Sequence, residues 1–253
     1  MKLEKAKSWW YQLQGKIVAE QRPEDVLVID IDVDPKPYLI KPDGTPRTVL
    51  AYLSIGEAEE YRGYWKQLHE RVEKHPLILF ENPDWPGNHA VQFWDGGWQG
   101  IVKAMARFAQ KQGFTGLYLD KADAAWDIHE RMPDMPYDYL LGRMSSFVVS
   151  IAAEVPDMDI VLQNCEDLYD FPDVCRVLDG TAHEDVLYGD PATGKRNPYQ
   201  VIHERLAAIR ALSGIPRFAV EYIDDTRTRR QAIKDLEFHK FVALVRPQNR
   251  ELA

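Results

Sequence analysis

The sequence of 253 residues contains only two cysteines, Cys165 and Cys175, separated by ten positions. The two could pair with each other, but the sequence has neither a zinc-binding spacing nor a disulfide framework, so we expect two free thiols. Histidine is also scarce, and only His183 lies near a predicted strand end, which disfavours a zinc hydrolase. No window approaches the roughly eighteen apolar residues of a membrane-spanning helix. The sequence therefore predicts neither a zinc centre nor a membrane span.

The chain also lacks an excess of positive charge. Its formal net charge is −9, which disfavours nucleic acid and anionic membranes as partners and is compatible with a neutral or cationic ligand. No apolar stretch follows the charged residues 1–7, so no signal peptide is expected in this chain and a cytoplasmic location is compatible with it. Composition leaves the oligomeric state open.

Aromatic residues, in contrast, are plentiful, with seven Trp, twelve Tyr and nine Phe. Such side chains suit a surface that stacks on sugar rings or bases, although any single one can equally belong to ordinary core packing. The length allows one large barrel or two small domains. Because no change in composition marks a boundary, we predict a single domain over residues 1–253.

Apolar runs with the character of buried strands alternate with helical patterns along the chain. The predicted strands cover residues 9–15, 25–34, 48–57, 116–120, 159–164, 174–185, 217–222 and 241–245. Alternation of eight strands with helices is typical of a (β/α)8 TIM barrel. A doubly wound sheet is the alternative, and it is disfavoured because no glycine-rich phosphate-binding turn follows the first strand.

Helical patterns separate most of these strands. They cover residues 57–74, 97–112, 137–153, 198–212 and 226–238. Residues 35–47 have no helical periodicity and contain a Pro-Asp-Gly turn signal. The helix between the second and third strands is therefore expected to be missing or shortened.

Many predicted strands end on polar side chains, and the strand ends of a barrel converge on one mouth. The predicted mouth contains Gln14, Asp30, Asp32, Ser54, Glu57, Asp120, Asn164, Glu184, Glu221 and Tyr222, with Trp10, Tyr52, Trp85, Trp94 and Tyr118 as stacking surfaces. Carboxylates among aromatic rings suit cleavage of a glycosidic bond. That reaction needs one acid to protonate the leaving oxygen and one carboxylate to attack or to activate water.

Two other functions compete with hydrolysis. Asp30, Asp32 and Asp34 alternate and could bind Mg²⁺ or Ca²⁺ in a metal-dependent barrel enzyme, although the glycine and glutamate of an EF-hand loop are missing. A non-catalytic carbohydrate-binding barrel would keep the aromatic cleft and misplace one acid. Fold alone does not decide among these functions.

Several runs resemble glycoside hydrolase family 114, whose members are TIM-barrel endo-α-1,4-polygalactosaminidases and their relatives. The most specific are Tyr-Leu-Ser-Ile-Gly-Glu-Ala-Glu-Glu-Tyr-Arg at 52–62 and Asn-Pro-Asp-Trp-Pro-Gly-Asn at 82–88. Residues 113–120 form a third, and residues 10–14, 25–30 and 183–189 follow in the expected order. The resemblance covers nearly the whole chain.

The resemblance implies that the catalytic pair is Asp120, at the end of the fourth strand, and Glu184, at the end of the sixth. We expect Asp120 to be the nucleophile and Glu184 the general acid/base. The expected sugar contacts, chosen mainly by strand-end position, are Trp10, Gln14, Asp30, Tyr52, Glu57, Trp85, Asn164, Glu221 and Tyr222. The resemblance also implies an endo-acting enzyme that cleaves an α-1,4-linked galactosamine-type polysaccharide without a metal or other cofactor. It further implies a location outside the cell or in its envelope.

Two departures from the family pattern lie near the expected cleft. Residues 35–47 stand where relatives usually have a helix, and Lys121 follows the expected nucleophile where relatives more often have an apolar residue. The sugar can therefore differ from galactosamine even where the chemistry is the same.

Overall fold

The computed structural model of the protein describes residues 3–72, 77–189 and 195–248, with residues 69–72 described by their backbone alone. In chain order the strands are β1 (Trp9–Gln12), β2 (Val26–Asp30), β3 (Thr48–Ser54), β4 (Glu57–Glu59), β5 (Ile78–Glu81), β6 (Asn88–Val91), β7 (Gly116–Asp120), β8 (Asp159–Gln163), β9 (Gly180–Glu184), β10 (Arg217–Tyr222) and β11 (Val242–Arg246). The α-helices are α1 (Trp65–Val72), α2 (Gly96–Gln112), α3 (Ala124–Arg131), α4 (Tyr137–Glu154), α5 (Pro172–Val177), α6 (Tyr199–Ala211) and α7 (Thr226–Phe238).

Eight of the strands form one parallel sheet in the order β1-β2-β3-β7-β8-β9-β10-β11. The first and last strands of this sheet also contact each other, so the sheet curls into a nearly closed barrel. α-Helices lie between most successive strands of the barrel, as is usual for parallel connections. The predicted (β/α)8 barrel is confirmed. Between β2 and β3 only the short 3₁₀ helix Lys36–Tyr38 is present, so the predicted loss of a full helix there is also confirmed.

Two apolar layers hold the barrel together. The interior is rich in aromatic rings, with the centroid of Trp9 5.4 Å from that of Phe218 and the centroid of Tyr11 5.3 Å from that of Tyr118. The second layer lies between the strands and the surrounding helices and contains buried side chains such as Trp98 of α2. Burial on both faces explains why the strands read as continuous apolar runs.

Two predicted elements are wrong. The helix expected from residue 57 begins only at Trp65, because Glu57–Glu59 is instead strand β4 of a small antiparallel sheet with the order β4-β6-β5. The strand expected to begin at Val174 is in fact helix α5, and β9 begins only at Gly180. Proline at the first position of α5 suits a helical start, since that position needs no backbone donor.

Two further features of the chain bear on the sequence predictions. Both cysteines are free thiols, and Cys165 is buried. Within residues 3–72, 77–189 and 195–248, no helix combines the length and the apolar character that a bilayer crossing requires.

Gly56 allows the end of β3 to approach the end of β7. A Cβ atom at this position would lie 2.1 Å from the backbone oxygen of Lys121 and 2.4 Å from the Cβ of Ala124. We expect Gly56→Ala to lower the free energy of unfolding by about 1–3 kcal/mol, since this backbone must shift to admit a methyl group. Urea unfolding followed by circular dichroism measures the change.

Gly63→Ala is the matched control, because a Cβ there meets no heavy atom within 4 Å. Equal stability of Gly56→Ala and Gly63→Ala would contradict the close-approach argument.

Candidate active site

A cleft of about 980 Å³ opens at the carboxyl ends of the barrel strands. Both expected catalytic acids line it. So do seven of the nine expected sugar contacts, namely Gln14, Asp30, Tyr52, Glu57, Trp85, Asn164 and Tyr222. The barrel therefore brings together side chains that are far apart in sequence, as the strand-end argument predicts.

Asp120 is the last residue of β7 and is held by two hydrogen bonds. The Tyr52 hydroxyl donates to Oδ2 at 2.7 Å, and the backbone N–H of Lys121 donates to Oδ1 at 2.7 Å. Burial raises the pKa of Asp120, and both hydrogen bonds oppose that rise because they favour the charged form. The carboxylate is thus fixed in orientation within a poorly hydrated site.

Glu184 is the last residue of β9, and the hydroxyl of Tyr222 on β10 donates to its Oε1. The backbone N–H of Glu184 donates to Oδ1 of Asn164 at 3.1 Å, which ties the end of β9 to the end of β8. Each expected catalytic acid therefore accepts a hydrogen bond from a tyrosine on a neighbouring strand.

The interior tyrosines lie near both expected catalytic acids. Burial, followed by the charges of Glu184 and Asp120, raises the pKa of Tyr118 well above its ordinary value. The pKa of Tyr11 is raised by burial and by several neighbours that include the same two carboxylates. Both acids thus face the aromatic floor of the barrel mouth.

The backbone is strained at this mouth. Lys121 after β7, Asn164 after β8 and Asp185 after β9 have φ angles of 61°, 54° and 53°. Residues other than glycine adopt this left-handed region at a cost of about 1–3 kcal/mol each, and such residues concentrate at functional sites. Here the sharp turns direct the preceding strand-end side chains into the cleft.

Lys121 sends its ammonium group into a cluster of acids along the cleft wall. Its Nζ lies 3.1 Å from Oε1 of Glu57, 3.4 Å from Oδ2 of Asp127 and 3.9 Å from Oδ1 of Asp123. Burial alone lowers the pKa of Lys121, but these carboxylates outweigh it and raise that pKa above its ordinary value. Burial raises the pKa of Asp123 to about 6.

Arg62 organises a second acidic group. Its guanidinium nitrogens lie 2.7 Å from Asp30, 2.9 Å from Asp32 and 2.7 Å from Glu59. β2 ends at Asp30, so the three alternating aspartates do not continue along one strand face. In the described ranges no group of three or more His, Cys, Asp or Glu is arranged to hold a metal ion. Of the three aspartates considered as metal ligands, Asp30 and Asp32 therefore form ion pairs with Arg62.

Two expected sugar contacts, Trp10 and Glu221, lie outside the cleft lining. The Trp10 ring stacks with the guanidinium groups of Arg22 and Arg246, at 4.1 Å and 4.2 Å from the ring centroid. Glu221 is fully buried and accepts the backbone N–H groups of Leu187 and Tyr188 at 2.8 Å and 3.1 Å. Both have contacts that stabilise the fold.

Sequence reasoning missed several cleft residues, among them Glu166, Arg205 and Trp126. Glu166 lies only two positions after the predicted contact Asn164. Its place in the loop that directly follows a strand end could have identified it as a cleft residue. Arg205 lies in the middle of helix α6 and reads as an ordinary solvated charge. Nothing local in the sequence marks it as part of the site.

The family comparison agrees with this geometry. The chain matches the model of glycoside-hydrolase family GH114 over residues 1–251. It belongs to that family. Membership supports hydrolysis of glycosidic bonds as the activity of the cleft.

The curated relatives that match the chain are named only as uncharacterised proteins. A protein of Deinococcus radiodurans is 31% identical over 222 residues, which are 83% of this chain and 68% of that protein. A Thermotoga maritima protein is 31% identical over 225 residues, which are 85% of this chain and 64% of that protein. The chain thus spans about two thirds of the length of these relatives.

Solved structures share the fold at low sequence identity. The galactosamine complex of Ega3 from Aspergillus fumigatus superposes with a TM-score of 0.75 at 18% identity, covering 97% of this chain and 94% of that one. The glycoside hydrolase domain of PelA from Pseudomonas aeruginosa gives 0.76 at 20% identity, covering 98% and 96%. These similarities independently place the chain in the same barrel fold.

The buried carboxyl of Glu221 predicts a pH effect on stability. Burial raises its pKa from 4.5 to about 8. Between these values the folded protein keeps a proton that the unfolded chain has released, so the free energy of unfolding falls as pH rises. The slope is at most about 1.4 kcal/mol per pH unit. We expect Glu221→Gln to lose less stability than the wild type between pH 5 and pH 8, as measured by urea unfolding.

Glu204→Gln, at an exposed position of α6, is the control and should keep the wild-type pH dependence. An unchanged slope in Glu221→Gln would show that Glu221 is ionised in the folded protein across this range.

Proposed function

We propose that the protein is an endo-acting glycoside hydrolase that cleaves an α-1,4-linked galactosamine-type polysaccharide through Asp120 and Glu184. The observation that carries this proposal is the pair of tyrosine-bound carboxylates at the ends of β7 and β9 in one cleft. Family membership supports the reaction class. The substrate and the residue roles are the proposal.

Asp120 is the proposed nucleophile. Its two donors, the Tyr52 hydroxyl and the Lys121 amide, favour the ionised carboxylate that must attack the anomeric carbon. Attack forms a glycosyl ester and breaks the bond to the leaving oxygen, which takes a proton from Glu184. Glu184 then removes a proton from water, whose oxygen displaces Asp120 from the sugar.

The charge of the cleft supports an amine-bearing substrate. Lys121 and Arg205 are the cations that line it within the described ranges. The lining carboxylates are Asp30, Glu57, Glu59, Asp120, Asp123, Asp127, Glu166, Asp167, Glu184 and Asp185. This excess of negative charge attracts a polymer with free ammonium groups. The solved structure of Ega3, which shares the fold, holds galactosamine.

Exposed aromatic rings along the cleft support binding of several sugar units. Tyr61, Trp85 and Trp126 keep 67%, 47% and 50% of their surface exposed although all three line the cleft. Large exposed rings beside an acidic groove suit stacking on sugar faces. Tyr61 and Trp85 follow β4 and β5, and Trp126 lies on α3, so the rings are spread over two loops and one helix at the mouth. A groove of this kind favours an endo-acting enzyme.

Substitution of each acid tests the pair. Asp120→Asn and Glu184→Gln should each lower kcat/KM on α-1,4-linked galactosamine oligomers by about 100-fold or more, because a nucleophile or a general acid is lost. Chromatography of the released oligomers measures the rate and also shows whether internal bonds are cut. Asp157→Asn and Glu204→Gln, at exposed positions outside the cleft, are the matched controls.

The proposal fails if the wild type binds these oligomers and their N-acetylated forms without cleaving them, which would make the protein a carbohydrate-binding barrel. Full activity of either acid variant would remove that residue from the pair.

The hydrogen bond from Tyr52 to Asp120 predicts a shift in pH dependence. Tyr52→Phe removes a donor that favours the carboxylate, so the pKa of Asp120 rises further and the acidic limb of the kcat/KM profile moves to higher pH. A pH series of initial rates measures the shift. Tyr38→Phe, which loses only a hydrogen bond to the Ile17 carbonyl, should leave the profile in place. An unmoved acidic limb in Tyr52→Phe would argue against Asp120 as the group that must ionise.

A further inference from the structure

Arg205 of helix α6 reaches the turn that carries Glu184. Its Nη1 donates to the backbone oxygen of Glu184 at 3.0 Å and to that of Asp185 at 3.1 Å. Its Nε and Nη2 donate to Oε1 of Glu166 at 3.2 Å and 2.8 Å. One guanidinium group therefore joins the end of β9 to the loop after β8.

Glu166 is itself fixed from the opposite side. His183 is fully buried, and its Nδ1 lies 3.1 Å from Oε1 of Glu166 while its Nε2 lies 3.0 Å from the Thr181 hydroxyl. A carboxylate can only accept, so Nδ1 carries the hydrogen, and Nε2 of the neutral ring accepts from Thr181. Burial lowers the pKa of His183, which agrees with a neutral ring. These bonds anchor Glu166 to β9 next to Glu184.

Arg205 contacts the backbone at the point where strand β9 ends. Asp185 has a left-handed φ of 53°, so the chain turns sharply just after Glu184. Arg205 holds the two carbonyl groups on either side of that turn. A planar guanidinium with five donors can bind two carbonyls and a carboxylate at once, which a lysine ammonium cannot do in the same geometry.

Helix α6 does not depend on Arg205 for its attachment to the fold. Its buried side chains Ile202, Leu206 and Ile209 pack in the apolar cluster between the strands and the outer helices. Arg205 instead lines the cleft. Its contacts are therefore directed at the active-site turn.

We infer that Arg205 is a positioning residue, which through Glu166 and the carbonyls of Glu184 and Asp185 fixes the Glu184 carboxyl group for proton transfer to the leaving oxygen. The inference rests on the proposed function of Glu184 as the general acid. It assigns Arg205 no direct role in bond cleavage. The network couples the ends of β8 and β9 to α6, so its loss should impair proton transfer more than substrate binding.

The test uses two leaving groups. A sugar leaving group needs a proton from the acid, whereas a 2,4-dinitrophenolate leaves without one. Arg205→Ala should lower kcat/KM on galactosamine oligomers by about 100-fold, and by less than about 5-fold on the dinitrophenyl glycoside of such an oligomer. Glu184→Gln should show the same leaving-group dependence, and Arg205→Lys should lie between Arg205→Ala and the wild type. Arg210→Ala is the matched control on the same helix, since its guanidinium contacts His239 on the outer surface.

Equal losses on both substrates in Arg205→Ala, or no loss on either, would overturn the positioning role. A failure of the proposed function gives a different pattern, in which the wild type cleaves neither substrate or Glu184→Gln shows no dependence on the leaving group.

Hydrogen exchange decides the positioning role in that case, because it needs no substrate. Amides at residues 184–186 should exchange faster in Arg205→Ala than in Arg210→Ala or the wild type if Arg205 fixes the turn. Unchanged exchange there would overturn the inference whatever the enzyme acts on.

Discussion

The site depends on how the barrel tolerates many carboxylates at one mouth. Like charges in a poorly hydrated region repel each other and raise the free energy of the folded state unless each has a partner. The structure meets this constraint with cations supplied by three different elements. Arg62 binds one acidic group at the end of β2, Lys121 binds a second beside β7, and Arg205 binds a third between β8 and β9. The positions of these cations divide the mouth into separate acidic regions.

The two proposed catalytic acids have a different kind of partner. Asp120 and Glu184 each accept a hydrogen bond from a tyrosine hydroxyl, which is neutral. An ion pair or a strong hydrogen bond can hold a carboxylate in its charged form. Glu166 is an example, because the hydrogen bond from His183 and the ion pair with Arg205 lower its pKa to about 2. A neutral donor orients a carboxyl group and perturbs its protonation less strongly. Orientation by a neutral donor suits the proposed roles of these groups, which must exchange a proton or attack during each turnover.

Strand ends were the part of the site that the sequence could predict. A buried apolar run that stops at a carboxylate identifies both the strand and its polar end, as it does at Asp120. The choice of Asp120 and Glu184 as a pair rests instead on the resemblance to family 114. The period of two along a strand could also have separated Glu221 from Tyr222, since neighbouring side chains point to opposite faces. Tyr222 faces the cleft, while Glu221 points away and binds the backbone of Leu187 and Tyr188.

Features that depend on distant pairing could not be predicted in this way. Residues 57–59 are rich in glutamate and suit a helix locally, but they pair with residues 88–90 and carry the buried ion pair between Glu59 and Arg62. Tertiary contacts of this kind override local propensity. Arg205 is a stronger example, because its function in the structure depends on carbonyl groups about twenty positions earlier in the chain.

The charge balance of the cleft links stability to substrate choice. Lys121 and Arg205 neutralise only part of the carboxylates around them, so the cleft keeps an excess of negative charge. A neutral polysaccharide would leave that repulsion in place and would also displace water that screens it. The proposed amine-bearing polymer would supply the missing positive charge on binding, and its affinity would then include relief of repulsion already present in the free protein. The same carboxylates that raise the free energy of the folded mouth would thereby favour the proposed cationic substrate.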